Sequence, residues 1–300
     1  MTYGLVALFA LLAFAANPAY YASAADDGDD SSQASAPLTP ELIRALVQRV
    51  LENQQHNDQM LEHYEFSEHS YGTAKTGDQK DSTYFVVPTG DGLTRIELEH
   101  NGKPSDASSL DEQWETVAQS LLEESRVNQV SSKPSNEKES RRRRDRIEMI
   151  DAIGKAFIFH WGGRLTNDGH SYVRLTFEPN PAFHSSARFA VLYAHSHGTV
   201  WVDESSAQLA RATAQLSDDV TWGGGLIAKL YKGGEFTYEQ QSVDGAVWAP
   251  VRYSYDFEGR KFLFSMSLHE RADYTNYRRV GAPAEELAVI RREHPRCCSK

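Results

Sequence analysis

The apolar positions of this chain change rhythm several times, and each rhythm predicts a different element. From Leu5 to Ala16 the run is unbroken but too short to cross a bilayer comfortably as a helix. Leu42, Ile43, Leu46, Val47, Val50 and Leu51 then recur at three- and four-residue intervals, the stripe of a helix with one buried face. Thr39 is placed to cap that helix, Pro40 fits its first turn, and Glu41 sits near its positive end. Near Leu61 the period shortens to two, with Tyr64 and Phe66 alternating with Glu65 and Ser67. A glycine-containing turn near Tyr71–Gly77 leads to strands Ser82–Pro88 and Leu93–Glu99, joined across Thr89-Gly90-Asp91-Gly92. Asn101-Gly102 and Pro104 end this first meander.

Helical spacing returns near Ser108 or Ser109, with Leu110, Trp114, Val117 and Leu121 on the inner face. Lys133-Pro134-Ser135-Asn136 breaks it, and Ile147, Ile150, Ile153 and Phe157 resume it, so a helical hairpin or bent pair is expected. Strands follow at Phe157–Trp161 and Tyr172–Phe177, the latter stopped by Pro179-Asn180-Pro181; residues 184–195 read as a helical turn or two. Thr199–Asp203, Leu209–Leu216, Gly225–Tyr231, Gly234–Ser242, Ala246–Phe257 and Phe262–Arg271 complete the run, with Asp273–Arg279 as a last strand or extension. The turns between them are read at Glu204-Ser205-Ser206, Lys232-Gly233, Asp244-Gly245 and Glu258-Gly259.

Strands of similar length in hairpin order predict a mainly β chain with helices: a large curved antiparallel sheet, an unclosed half-barrel, wrapped around its helices. Such a sheet has a concave apolar side too wide for its own side chains to fill. The helices at 40–60 and 109–155 carry the stripes that plug it. A fully plugged sheet is a scaffold; an incompletely filled one is a pocket for an apolar ligand.

Composition adds a compartment. Residues 1–24 carry no charge, and Ala22-Ser23-Ala24 is the small-x-small pattern of a signal peptide cleaved after Ala24, although its n-region has no Lys or Arg. Secretion to a periplasm or beyond is expected, with no stable membrane span after cleavage. Residues 25–38 read as a disordered acidic linker, 39–280 as one domain with a helical insertion at about 109–155, and 281–300 as a tail. The formal charge of −11 disfavours nucleic acid as a partner. Cys297 and Cys298 are adjacent and close only a strained ring, so packing alone must hold the core.

Chemistry-bearing residues are sparse. His195 and His197 point to one side if extended, but no third metal-type ligand lies nearby in sequence; surface or turn histidines are the plainer reading. A hydrolase would need His160, His195 and His197 gathered with an acid around one cleft. No nucleophile elbow or His-Glu-x-x-His motif is present. Gly223-Gly224-Gly225 lacks the Lys-Ser/Thr of a phosphate loop and precedes a strand-like run, so a glycine-rich hairpin or sheet edge is expected. Nothing here demands an enzyme or a cofactor. Arg141-Arg142-Arg143-Arg144 fits either a solvated helical face, given its acidic neighbours, or a docking patch for an anionic partner.

Aromatic residues concentrate in the last strands. Tyr253, Tyr255 and Phe257 alternate and so share a face, as do Phe262, Phe264, Met266 and Leu268. With Trp201 and Trp248 they either pack a plain core or line an apolar cavity. Trp248 is expected to pack inward near the sheet rim, with Pro250 marking an edge or an interrupted ladder.

Gly198-Thr199-Val200-Trp201-Val202-Asp203, Leu209-Ala210-Arg211, Gly223-Gly224-Gly225-Leu226, Lys232-Gly233-Gly234, Val247-Trp248-Ala249-Pro250 and Tyr274-Thr275-Asn276-Tyr277-Arg278 form an ordered set of scaffold signatures. In that order they resemble a subgroup of the LolA-like, outer-membrane lipoprotein-sorting superfamily, and the layout extends over residues 40–280. The resemblance implies an unclosed barrel around helices whose concave side holds lipoprotein acyl chains or other lipids. The insertion at 109–155 departs from the compact carrier pattern. Two functions are therefore expected from different classes: a non-enzymatic module binding a lipid or lipoprotein acyl chain, and an envelope structural or sensory module with a plugged cavity that binds a protein.

Overall fold

The computed structural model of the chain describes residues 36–73, 79–89, 92–127, 137–167, 169–187, 190–245 and 247–295, and the side chains of all of these except 137–143. The expected signal peptide with its cleavage point, most of the expected acidic linker, the expected break at residues 133–136 and both cysteines lie outside them.

The first helix, α1 (Pro40–Met60), starts where its signals placed it: the Leu42 N–H donates to Thr39 Oγ1 at 3.4 Å. A single turn of tighter helix leads into β1 (Tyr64–Thr73), β2 (Gln79–Thr89), β3 (Gly92–His100) and the short β4 (Lys103–Pro104). The expected helical hairpin is two helices, α2 (Ala107–Val127) and α3 (Glu137–Ala156). Asp106 starts α2 by accepting from the Ser109 N–H at 2.9 Å and from the Ser108 hydroxyl, and these bonds hold its carboxyl below the usual range.

The remaining elements are β5 (Phe157–Asn167), β6 (His170–Pro179), α4 (Ala190–Tyr193), β7 (Ser196–Asp203), β8 (Gln208–Leu216), β9 (Val220–Trp222), β10 (Ala228–Leu230), β11 (Glu235–Ser242), β12 (Trp248–Lys261), β13 (Phe264–Arg279) and α5 (Pro283–Glu293).

The strand order is β4-β3-β2-β1-β13-β12-β11-β8-β7-β6-β5, with β10 pairing β12 and β9 pairing β10. The registered pairs are antiparallel, and the order ends at β4 and β5, so the sheet is large, antiparallel and unclosed.

The chain forms two compact units. The first takes the described residues up to Gln55 together with Met149–Gln241 and Arg252–Arg271. Its helices cover one sheet face. Ile43 and Val47 of α1 pack on Val173 and Leu175 of β6, and Met149, Ala152 and Ala156 of α3 pack with Phe157, Phe177 and Tyr193. The second unit takes His56–Glu148, Ser242–Val251 and the described residues from Ala272. There Trp114, Val117 and Leu121 of α2 pack on Val87 and Ile96, and also on Leu287 and Ile290 of α5. Each stripe read from the sequence has found an apolar sheet face, the arrangement that removes most water from both.

Three expectations are corrected. Residues 281–300 are not simply a tail: α5 fills residues 283–293, and the His294 ring stacks on Trp114 at 4.1 Å. The strand expected over Gly225–Tyr231 is shortened to β10, because three successive glycines at φ +59°, +63° and +84° form a tight helical turn before it that breaks extended backbone, and the strand β9 before that turn was not expected. The Glu258-Gly259 turn does not exist. β12 runs on to Lys261, and the absent Cβ of Gly259 serves a close approach: a methyl there would lie 2.3 Å from the Lys229 carbonyl oxygen on β10.

Candidate functional site

On β12 the alternation places Tyr253, Tyr255 and Phe257 on one face, as expected, and all three are buried, with exposures of 7%, 6% and 5%. Their rings form a ladder, with centroids 6.4 Å apart between Tyr253 and Tyr255 and 6.0 Å between Tyr255 and Phe257. Both phenols donate to one carboxylate, Glu270 on β13; the Tyr255 bond measures 2.8 Å. Burial, followed by the Glu270 charge, pushes the Tyr255 phenol far above its ordinary range, so it stays protonated. Phe257 also lies where a Cβ on Gly234 would be, so the glycine before β11 is required by the ring.

The other aromatic residues named from the sequence stand elsewhere. Phe262 and Phe264 do not extend the buried ladder: they sit at the β12–β13 turn, 55% and 77% exposed. Misplacing the turn at Glu258-Gly259 is what put them on a strand face. Trp248 is half-buried between the fully buried Val247 and Ala249, and its N–H donates to Asn57 Oδ1 at 3.2 Å. The tryptophan is thus less enclosed than its two neighbours. Trp201 is half-buried on β7 with the Arg211 guanidinium 5.3 Å over its ring.

That Trp201–Arg211 pair belongs to the face opposite the helices in the first unit. The register brings His160, Thr176, Thr199, Thr213 and Thr237 into one row across five strands. Beside this row, His197 pairs with Gln215 and Gln215 with Glu235. A groove of about 840 Å³ lies over these residues. Its lining mixes hydroxyl, imidazole, carboxylate and guanidinium groups with apolar ones from Phe177, Pro179, Ala214 and Phe236. No element read from the sequence announced it, because cross-strand rows depend on register and not on local pattern.

The histidines do not assemble as a hydrolase would require. His160 meets Glu178 at 3.2 Å, His197 meets the Ser217 hydroxyl at 3.1 Å, and His195 lies 3.9 Å from Asp218. The group of metal-type ligands found among the described residues is a different one: His269 lies between Asp256 at 2.9 Å and Glu258 at 3.1 Å on the surface of β12 and β13. Of the arginine run, Arg144 is exposed on α3, and the side chains of Arg141, Arg142 and Arg143 lie outside those described.

No protein-family model matches the chain, and no curated protein matches it. Among solved structures it is similar to a DUF1329 family protein from Desulfovibrio piger, 13% identical, with a TM-score of 0.30, over 79% of this chain and 92% of that one. It is also similar to a putative outer membrane lipoprotein-sorting protein domain from Vibrio parahaemolyticus, 7% identical, with a TM-score of 0.30, over 81% and 99%. A LolA superfamily protein from Nitrosomonas europaea is 9% identical, with a TM-score of 0.30, over 81% and 96%. No helix among the described residues is long and apolar enough to cross a membrane.

Proposed function

We propose that this chain is a secreted, periplasmic, non-enzymatic module that binds a lipid or lipoprotein acyl chain on the apolar side of the sheet. The observation that carries the reading is the ladder of Tyr253, Tyr255 and Phe257. Residues two apart along a strand repeat at about 6.6 Å, so the three rings offer an acyl chain about 13 Å of continuous apolar track. Each methylene withdrawn from water there contributes roughly 0.8 kcal/mol. Glu270 ties the two phenols down, so the polar ends of the ladder are satisfied before any ligand arrives. The ladder is closed to solvent, so uptake requires covering side chains to move aside and is slow.

That same burial favours a second reading, an envelope interaction module with a plugged cavity in which a protein meets the exposed Arg144 region of α3. Titration with a fluorescent fatty acid in vesicle-free solution separates the two. Saturable uptake that is weakened in Tyr255→Ser supports the acyl reading. A signal no larger than that of an inert protein leaves the interaction module.

A further inference from the structure

The two segments that meet at one end of β12 combine features that ordinary turn chemistry avoids. Phe262 and Leu263 form the two-residue turn between β12 and β13, a place where Asn-Gly or Gly-containing pairs are favoured. Phe262 sits at φ +54°, a left-handed conformation that is costly for a bulky side chain. Leu263 is 91% exposed and Phe264 77%. Beside them, the glycine turn of residues 223–225 presents Leu226, 80% exposed, and Ile227, 52% exposed. A soluble surface spreads its apolar residues singly; five together on two adjoining turns is a patch.

The patch is held in place. The Phe262 N–H donates to the Ile227 carbonyl at 2.9 Å, the Arg260 guanidinium donates to the Gly225 carbonyl at 3.3 Å, and β10 pairs with the end of β12. Ile227 lies over Gly223, where a Cβ would come within 2.7 Å of it. The sequence therefore spends three left-handed glycines and a strained phenylalanine on displaying apolar side chains to water.

Charge says what covers them. From Val220 to Gly234 and from Gly259 to His269 there is no acidic residue, in a chain of net charge −11. Lys229, Lys232, Arg260 and Lys261 fall in these two segments, and Lys232 and Lys261 are exposed. Acids border these segments: Asp219 is engaged by Lys229 at 2.5 Å and by the Lys232 N–H at 2.9 Å, Glu258 is engaged by the Ser267 hydroxyl at 2.7 Å and His269 at 3.1 Å, and Asp218 lies 3.9 Å from His195. An apolar tip with a cationic collar matches a bilayer surface: apolar side chains enter the headgroup boundary while the ammonium groups meet lipid phosphates. In a symmetric pair of these tips the two collars would face each other with like charge.

We propose that this tip docks on the surface of an anionic lipid bilayer. The proposal goes beyond acyl-chain binding and stands independently of it, since it concerns a different part of the first unit and a membrane surface in place of a single lipid chain.

The test is flotation of the purified protein with vesicles of phosphatidylcholine, alone or with about a third phosphatidylglycerol. The parent is expected to bind the anionic vesicles about tenfold or more tightly than the neutral ones, and to lose binding in high salt. Leu263→Asp with Phe264→Asp lowers binding by at least about tenfold without changing the unfolding midpoint, since both side chains are in water. Leu42→Asp, at an exposed leucine on α1, leaves binding unchanged.

Phe262→Asn gives the sharper readout: it relieves the left-handed strain and removes a ring, so the unfolding midpoint rises while vesicle binding falls. Equal binding to neutral and anionic vesicles, or an Asp variant that floats like the parent, overturns the proposal. Concentration-dependent self-association abolished by the same Asp variant, with no flotation, assigns the tip to a second copy and overturns it as well. The fatty-acid titration contains no vesicles, so its failure leaves this test untouched.

Discussion

Gly198→Ala adds one methyl where β7 closely approaches atoms of β6 and β8. A Cβ on Gly198 would lie 1.9 Å from the Thr213 carbonyl oxygen, 2.8 Å from Phe177 Cζ and 2.9 Å from Ala214 Cα. The phenylalanine ring has some freedom to turn, but the other two atoms are backbone of β8. Relief requires β7 to move off β8 by more than an ångström, which lengthens the ladder bonds on either side of the Gly198–Ala214 pair. Phe177 is also one of the buried residues packed with α3, so its displacement disturbs the helix contact. Overpacking a tight site costs about 1–3 kcal/mol, and the backbone clash places this case at or above the upper end.

For a structured region of this size, about 3 kcal/mol lowers the unfolding midpoint by about 6–12 °C. Gly224→Ala is the internal comparison. It stands at φ +63° with open space around it, so only the conformational penalty applies, about 1 kcal/mol. Thermal unfolding followed by circular dichroism measures both variants. If Gly198→Ala melts within about 1 °C of the parent, the register of β7 against β6 and β8 described above is wrong.

Two pH responses follow from buried groups. Burial pushes the phenols of Tyr193 and Tyr255 far up; the unfolded chain ionises near pH 10 and the folded one does not, so their contribution is full below that value and is lost above it. Urea unfolding at pH 9 and pH 11 should show a fall in stability that is smaller in Tyr255→Phe. Burial also pushes the Asp203 carboxyl up, but the Ser205 and Ser206 hydroxyls, the Ser206 N–H and His170 outweigh it and hold the group below its usual range. Its contribution is therefore present above about pH 4 and lost as pH falls through the depressed value, a loss that acid unfolding should find absent in Asp203→Asn.

Helices were legible in this sequence wherever a stripe ran long enough, as at Leu42–Leu51 and at Leu110–Leu121, because a helix announces its buried face every three or four residues. Strands β6, β7, β8 and β11 were legible for the same reason at a period of two. Glycine misled once. Gly259 looked like a turn and is a close approach between β10 and β12, a contact made by residues far apart in the chain. That error hid the turn at Phe262-Leu263, so the exposure of Phe262 and Phe264 at its tip was not foreseen. Gly223–Gly225, read as a glycine-rich hairpin or sheet edge, is the tight left-handed turn between the antiparallel β9 and β10. The ladder was half legible: the shared face of Tyr253, Tyr255 and Phe257 follows from alternation, but Glu270 as their common acceptor needs the pairing of β12 with β13. The threonine row was invisible, since each threonine alone is an ordinary outward strand residue.

Acyl-chain binding on the apolar side of the sheet is the central claim, and native mass spectrometry of the protein purified without detergent tests it most directly. The account requires a fraction of the molecules to carry one noncovalent lipid-sized adduct that is lost on delipidation, regained after incubation with a long-chain fatty acid, and diminished in Tyr255→Ser. A single unliganded mass before and after that incubation, at a concentration where the protein is folded, would contradict it.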